Sequence, residues 1–263
     1  MKYSVPKGVF AATALLAALI CVGARPALAP DRAAGSTAHW SYSGADGPEH
    51  WGDLDPSFAA CKNGTRQAPI NIEDAKLADL PPIQFDYQLA PLRIINNGHT
   101  IRVNYGPGSW IVIGNKRYQL EQLHFHHPAE EEIAGRRFDL VAHLVHQSAD
   151  GQFAVVSILF KQGAANPFLQ QVWNHAPAEP GKEIEIKKVV LNVADLLPAG
   201  RNYYSLAGSL TTPPCSEGIT FYVMKDVQEL SSEQIAQFAK LYPDNARPIQ
   251  PTNGREILES HFQ

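Results

Sequence analysis

Seven short runs of β-branched and aromatic residues constrain this chain's fold more than any other feature. "LRIINN" (92–97), "HTIRVNY" (99–105), "SWIVIG" (109–114), "RYQLEQLHFHH" (117–127), "FDLVAHLVHQ" (138–147) and "FAVVSILF" (153–160) follow one another closely, and "GITFYVM" (218–224) stands further on. Each is long enough for a strand, and Asn97-Gly98 and Gly114-Asn115 are turn signals between them. Helical patterns are scarce. "NPFLQQVWNHA" (166–176) is one; "SSEQIAQFAKL" (231–241) is better, with Ser231 and Gln234 at capping-box spacing and Ile235, Phe238 and Leu241 along one stripe. No internal repeat or linker interrupts residues 40–263. The expectation is a mostly β single domain built on a large, mainly antiparallel mixed sheet of about ten strands, with helices at the periphery.

The N-terminus reads as an export signal. Lys2 and Lys7 precede an apolar run over residues 9–22, broken only by Thr13 and short for a bilayer span of about 20 residues. Ala27-Leu28-Ala29 has the small-x-small form of a cleavage site, with Ala24 and the region of Ala34 as alternatives. Residues 1–29 are therefore assigned as signal peptide, 30–38 as a flexible lead-in and 39–263 as the working domain, periplasmic or secreted, without stable membrane insertion after cleavage. Cys21 falls within the signal. The other two of the three cysteines, Cys61 and Cys215, would form one disulfide in an oxidising compartment, the alternative being two buried thiols. The net charge of −4 is mixed in sign, and no basic patch with interleaved aromatics argues for nucleic acid. Monomer and homodimer both stay open.

Chemistry concentrates in "QLEQLHFHHPAEEE" (119–132). Side chains alternate faces along a strand, so Gln122, His124 and His126 share one face and Leu123 and Phe125 the other. The two imidazoles stand about 7 Å apart at their backbones, close enough to converge on one ion. "DLVAHLVHQ" places Val141, His143 and Val145 on a common face, and pairing beside the first strand lets His143 supply a third nitrogen. Three neutral imidazoles make a tetrahedral zinc site with one vertex left for water. They leave the ion its full charge, which lowers the pKa of bound water to about 7 in such sites. His127 and His146 point to the opposite faces and read as structural.

These segments come with others: "HWSYSGADGPEHWGDL" (39–54), "CKNGTRQAPINI" (61–72), "NNGHTIRV" (96–103), "EQLHFHHPAEE" (121–131), "AHLVH" (142–146), "GSLTTPPCSEG" (208–218) and "DNARPIQP" (244–251). In this order and spacing they resemble the successive signatures of the alpha-class carbonic anhydrases, from about residue 39 to the end. The resemblance implies a zinc lyase that hydrates carbon dioxide to bicarbonate, with weak ester hydrolysis as a side activity.

The same resemblance implies roles for particular residues. His124, His126 and His143 would hold one Zn²⁺ per chain, Gln122 would bond His124, and a backbone carbonyl near Asn245 would serve His126. Thr211 and Glu130 resemble the gatekeeper pair. Val145, Val155, Leu210 and Ile219 match the apolar carbon dioxide pocket, with Thr212 beside them, and His99 matches the proton shuttle. Trp40, Tyr42 and Trp51 resemble a packing cluster, and Cys61 and Cys215 fall where secreted members form a disulfide. Two departures stand out. Val141 occupies the place of a glutamate that accepts the third histidine's other N–H, so water or another group must accept it, and weaker zinc retention or a shifted water pKa is expected. Arg102 stands where many relatives carry a neutral amide.

Overall fold

The computed structural model describes residues 38–262 together with Met1, Lys2 and Ser4. The expected signal peptide and lead-in lie almost wholly outside those residues. Among the described residues, no helix is long and apolar enough to cross a membrane.

The seven sequence runs all become strands of one sheet, which is larger than expected: 13 strands rather than about ten. Ten form a continuous path in the order Ile184–Leu191, Ala90–Asn96, Ile101–Asn104, Lys116–His126, Leu140–Ser148, Phe153–Gln162, Glu217–Met224, Tyr203–Ser209, Leu258–Glu259 and Lys76–Leu77. Three short strands attach beside it. Pairing is antiparallel except where Phe153–Gln162 meets Glu217–Met224 and Gln228–Leu230, and where Leu258–Glu259 meets Lys76–Leu77. A separate three-stranded sheet joins Asn71–Ile72, Glu132–Ile133 and Arg136–Arg137. It anchors the chain immediately after the histidine strand.

Alternation divides the core between the two faces of the large sheet. Leu123, Phe125, Leu144, Val156, Ile158 and Phe160 pack on one face. The helices Pro167–Trp173 and Ser232–Ala239 cover that face, with Trp173 edge-on to Phe125 at 4.7 Å between ring centroids. The Ser231–Gln234 capping box forms as the sequence predicts. Gln234 also accepts from the Asn166 backbone N–H at 2.8 Å, tying the second helix to the start of the first. Val141, Val145, Val155, Leu159, Ile219 and Phe221 pack on the opposite face.

This division fixes the register of the histidine strand. Leu123 and Phe125 are both fully buried, each worth about 1.5–3 kcal/mol relative to exposure. A slip of one residue would turn both out of this apolar layer and drive Gln122, His124 and His126 into it.

Candidate metal centre

The register brings the three histidines together. His143 lies directly across from His124, and Val141 across from His126, in the antiparallel pair of Lys116–His126 with Leu140–Ser148. The rings form a nearly equilateral triangle, with centroid separations of 5.0, 5.4 and 5.0 Å. One nitrogen from each ring lies within 4.8 Å of the others.

Each ring is held by its other nitrogen. Gln122 Oε1 is 2.8 Å from His124 Nδ1, and the Asn245 carbonyl is 2.7 Å from His126 Nδ1. A carbonyl oxygen only accepts, so these Nδ1 atoms carry the protons and the Nε2 lone pairs face inward. His143 is turned the other way: its Nε2 lies 2.9 Å from Glu131 Oε1, which leaves Nδ1 for the centre. The acceptor that Val141 cannot supply thus comes from Glu131, and the ground for expecting weaker zinc retention falls away. Nothing in the "AEEE" run marks one of its acids as buried, so the sequence gives no signal for this residue.

The donor set suits a divalent cation. His126 Nε2 is buried with no hydrogen-bond partner among the described residues, a costly state that a metal would relieve. Burial, then the neighbouring rings of His126 and His143 and the charge of Arg102, hold His124 well below the ordinary histidine pKa. Burial, then His143, lowers His126 to about 3. Both rings are therefore neutral at ambient pH, as metal ligation would require. Burial also opposes a charge on His143, but the Glu131 and Glu130 carboxylates together outweigh it and raise that ring's pKa. Two buried carboxylates, Glu130 and Glu131, adjoin the histidines. Three imidazoles with one vertex left open are the ligand set of one class of catalytic zinc site.

Glu130 is fully buried, and its Oε1 accepts the Arg247 backbone N–H at 2.9 Å. Burial pushes its pKa up to about 7, against the pull of His143, the Arg247 N–H and a hydrogen bond from the Thr211 side chain. The segment carrying Thr211 is braced by the Cys61–Cys215 disulfide. The buried Arg247 guanidinium donates to the Cys61 carbonyl at 3.0 Å and to the Ala68 carbonyl at 2.8 Å. Gln67 Nε2 donates to the Cys215 carbonyl at 3.1 Å.

The histidines lie at the base of a cleft of about 490 Å³. One side is apolar, made by Val145, Val155, Leu210, Ile219 and Phe221, with Thr211 and Thr212 beside it. The other carries Asn97, His99, Arg102 and Gln122. Phe221 escaped the sequence reading, although it shares a strand face with Ile219 and is the next residue on it; its ring meets that of His143 edge-on at 5.9 Å between centroids. His99 follows a turn through Gly98 at φ 91° and stacks on Trp40. Trp40, Tyr42 and Trp51 pack together edge-to-face. His127 and His146 stay outside the cluster. His127 Nδ1 donates to the Asp139 carbonyl at 2.7 Å, and His146 is buried against the Tyr87 hydroxyl at 2.9 Å.

Fold and site together define a mostly β protein with three converging imidazoles at the base of an amphipathic cleft. The chain belongs to the eukaryotic-type carbonic anhydrase family, which matches residues 46–261. It is 45% identical over 223 residues to a carbonic anhydrase of Pectobacterium carotovorum, covering 84% of this chain and 91% of that protein. The alpha-carbonic anhydrase of Thermovibrio ammonificans, solved with the inhibitor sulfanilamide, superposes with a TM-score of 0.82 at 43% identity, covering 85% of this chain and all of that one. A dioscorin solved with ascorbate also shares the fold, with a TM-score of 0.78 at 36% identity over 84% of this chain and 97% of that one.

Proposed function

We propose that the chain holds one zinc ion on His124, His126 and His143 and interconverts carbon dioxide and water with bicarbonate and a proton. The observation that carries this reading is the convergence of three ring nitrogens beneath a cleft with one apolar side. When bound, zinc supplies the Lewis acidity that makes water nucleophilic near neutral pH.

The protein's own groups do the rest. An ionised carboxylate only accepts hydrogen bonds, whereas a threonine hydroxyl has one proton to give. When Glu130 is ionised, Thr211 gives that proton to it, so the hydroxyl's remaining lone pairs accept from the nucleophile and turn the nucleophile's free lone pair toward the substrate. Val145, Val155, Leu210 and Ile219 receive the small nonpolar substrate, with Thr212 at the margin. His99, at the polar side, takes the proton left by each turnover and passes it to buffer, a transfer that imidazoles commonly carry out. The same nucleophile would attack activated esters slowly. The Cys61–Cys215 disulfide supports residence in an oxidising compartment, in keeping with export to the periplasm or beyond.

Metal analysis with a carbon dioxide hydration assay tests the reading. About one zinc per chain is expected, with both zinc and activity lost in His143→Ala. A zinc-loaded chain without hydration activity would refute it.

A further inference from the structure

The third histidine is oriented by a device that its own strand does not contain. On the neighbouring strand the orienting group is local: Gln122, two residues before His124 and on the same face, reaches its ring at 2.8 Å. The equivalent position for His143 is Val141, fully buried among apolar neighbours and unable to accept a hydrogen bond. Glu131 reaches in from a different part of the chain. It lies just before Glu132–Ile133, the middle strand of the small sheet, where the Ile70 carbonyl accepts the Glu132 N–H at 3.3 Å and the Ile72 carbonyl accepts the Ala134 N–H at 3.0 Å.

A third residue completes the arrangement. Ser157 lies directly across from His143 in the pair of Leu140–Ser148 with Phe153–Gln162. It is fully buried, and its hydroxyl donates to the same Glu131 Oε1 at 2.7 Å. One carboxylate oxygen therefore accepts two hydrogen bonds, from the ligand ring and from the residue beside that ring. The other oxygen, Oε2, is buried without a hydrogen-bond partner among the described residues. A buried carboxylate so incompletely satisfied costs several kcal/mol unless a positive charge lies nearby. A divalent ion behind His143 would be that charge.

Resting on the zinc site proposed above, we propose that Glu131, held by Ser157, is the positioning residue that fixes the tautomer and angle of His143 as a zinc ligand. It replaces a same-strand acceptor that Val141 excludes. The hydrogen bond that orients His143 goes to a carboxylate, whereas those that orient His124 and His126 go to the neutral Gln122 amide and Asn245 carbonyl. Such outer partners raise ligand basicity, and their loss typically costs about 10–100-fold in metal affinity.

The test is zinc release from the purified holoprotein into excess chelator, read by a colorimetric zinc indicator, with circular dichroism as the control for folding. Glu131→Ala is expected to release zinc about 10–100-fold faster than wild type, Ser157→Ala several-fold faster, and Gln122→Ala less fast than Glu131→Ala. Adding Val141→Glu to Glu131→Ala is expected to recover most of the lost retention, because a residue two before the ring already serves His124 in this way. Should Glu131→Ala not fold, Ser157→Ala and Glu131→Leu, which has no acceptor for the ring, decide the matter with the same readout. Folded Glu131 and Ser157 variants that keep zinc as long as wild type would overturn the assignment. A wild-type chain that takes up no zinc would overturn both it and the function proposed above, whereas a zinc-binding wild type with unchanged variants refutes this inference alone.

Discussion

Trp40 and His99 lie face to face, their ring centroids 3.6 Å apart and their planes 8° from parallel. Trp40 is almost fully buried, so its ring is a fixed platform against which the more exposed His99 rests at the polar side of the cleft. Proton export follows the chemical step, so a defect in His99 should appear in kcat and spare kcat/KM. His99→Ala is expected to lower kcat on the order of a hundredfold in weak buffer, and added imidazole should restore part of it. An unchanged kcat would remove His99 from the mechanism.

Thr211 and Glu130 form the second testable pair. Thr211→Val keeps the side chain's shape and deletes the hydroxyl. A fall in kcat/KM on the order of a hundredfold is expected with zinc content unchanged. Glu130→Gln should behave alike for a different reason: an amide can donate to the Thr211 oxygen, reversing the polarity that aims the nucleophile. Zinc content and hydration rate measured on the same samples check both.

The Cys61–Cys215 bridge spans a sequence separation of 154. The chain-entropy relation makes so long a closure worth up to about 5 kcal/mol. Cys61→Ala with Cys215→Ala should therefore lower the urea midpoint substantially. Because the Cys215 N–H donates to the Thr212 carbonyl at 2.8 Å, hydration activity should decline below the temperature at which the fold is lost.

His146 gives a stability prediction independent of the metal. Burial lowers its pKa to about 3, against hydrogen bonds to the Ala154 and Leu144 backbone. The unfolded chain, at about 6.5, takes up a proton over a range in which the folded ring stays neutral. Stability from this residue is thus complete above about pH 6.5 and is lost as pH falls toward 3, at about 1.4 kcal/mol per pH unit. Between pH 7.5 and 5.5, wild type should lose about 1.4 kcal/mol more unfolding free energy than His146→Gln, as measured by urea denaturation at each pH.

The parts of the fold legible in the sequence were those where burial imposes a period. Lys116–His126, Leu140–Ser148 and Phe153–Gln162 alternate or run continuously apolar because both faces of the central sheet are covered, and the three histidines were placed by that alternation alone. Ile184–Leu191 went unread because it is an edge strand, largely exposed and carrying Lys187 and Lys188 at an irregular register. Tyr203–Ser209 ends in Ala207-Gly208-Ser209, small residues with little strand preference; a Cβ at Gly208 would stand 2.9 Å from the Phe221 ring, so packing rather than propensity selects glycine there. Two-residue strands such as Leu258–Glu259 exist only through their partners. Glu131 is the clearest case at the site. An acid in a run of acids normally faces solvent, and its burial is decided by Ile70 and Ile72 some sixty residues earlier in the chain.

Glu130 and Glu131 are consecutive, yet one accepts from the Arg247 backbone and the other pairs with His143. Adding or removing a single residue in the turn between His127 and Glu132 would put each carboxylate in front of the wrong client. This stretch should thus tolerate substitution at its rim but no change in length. Moving it into a homologue would require Val141 and Ser157 to travel with it as one cassette.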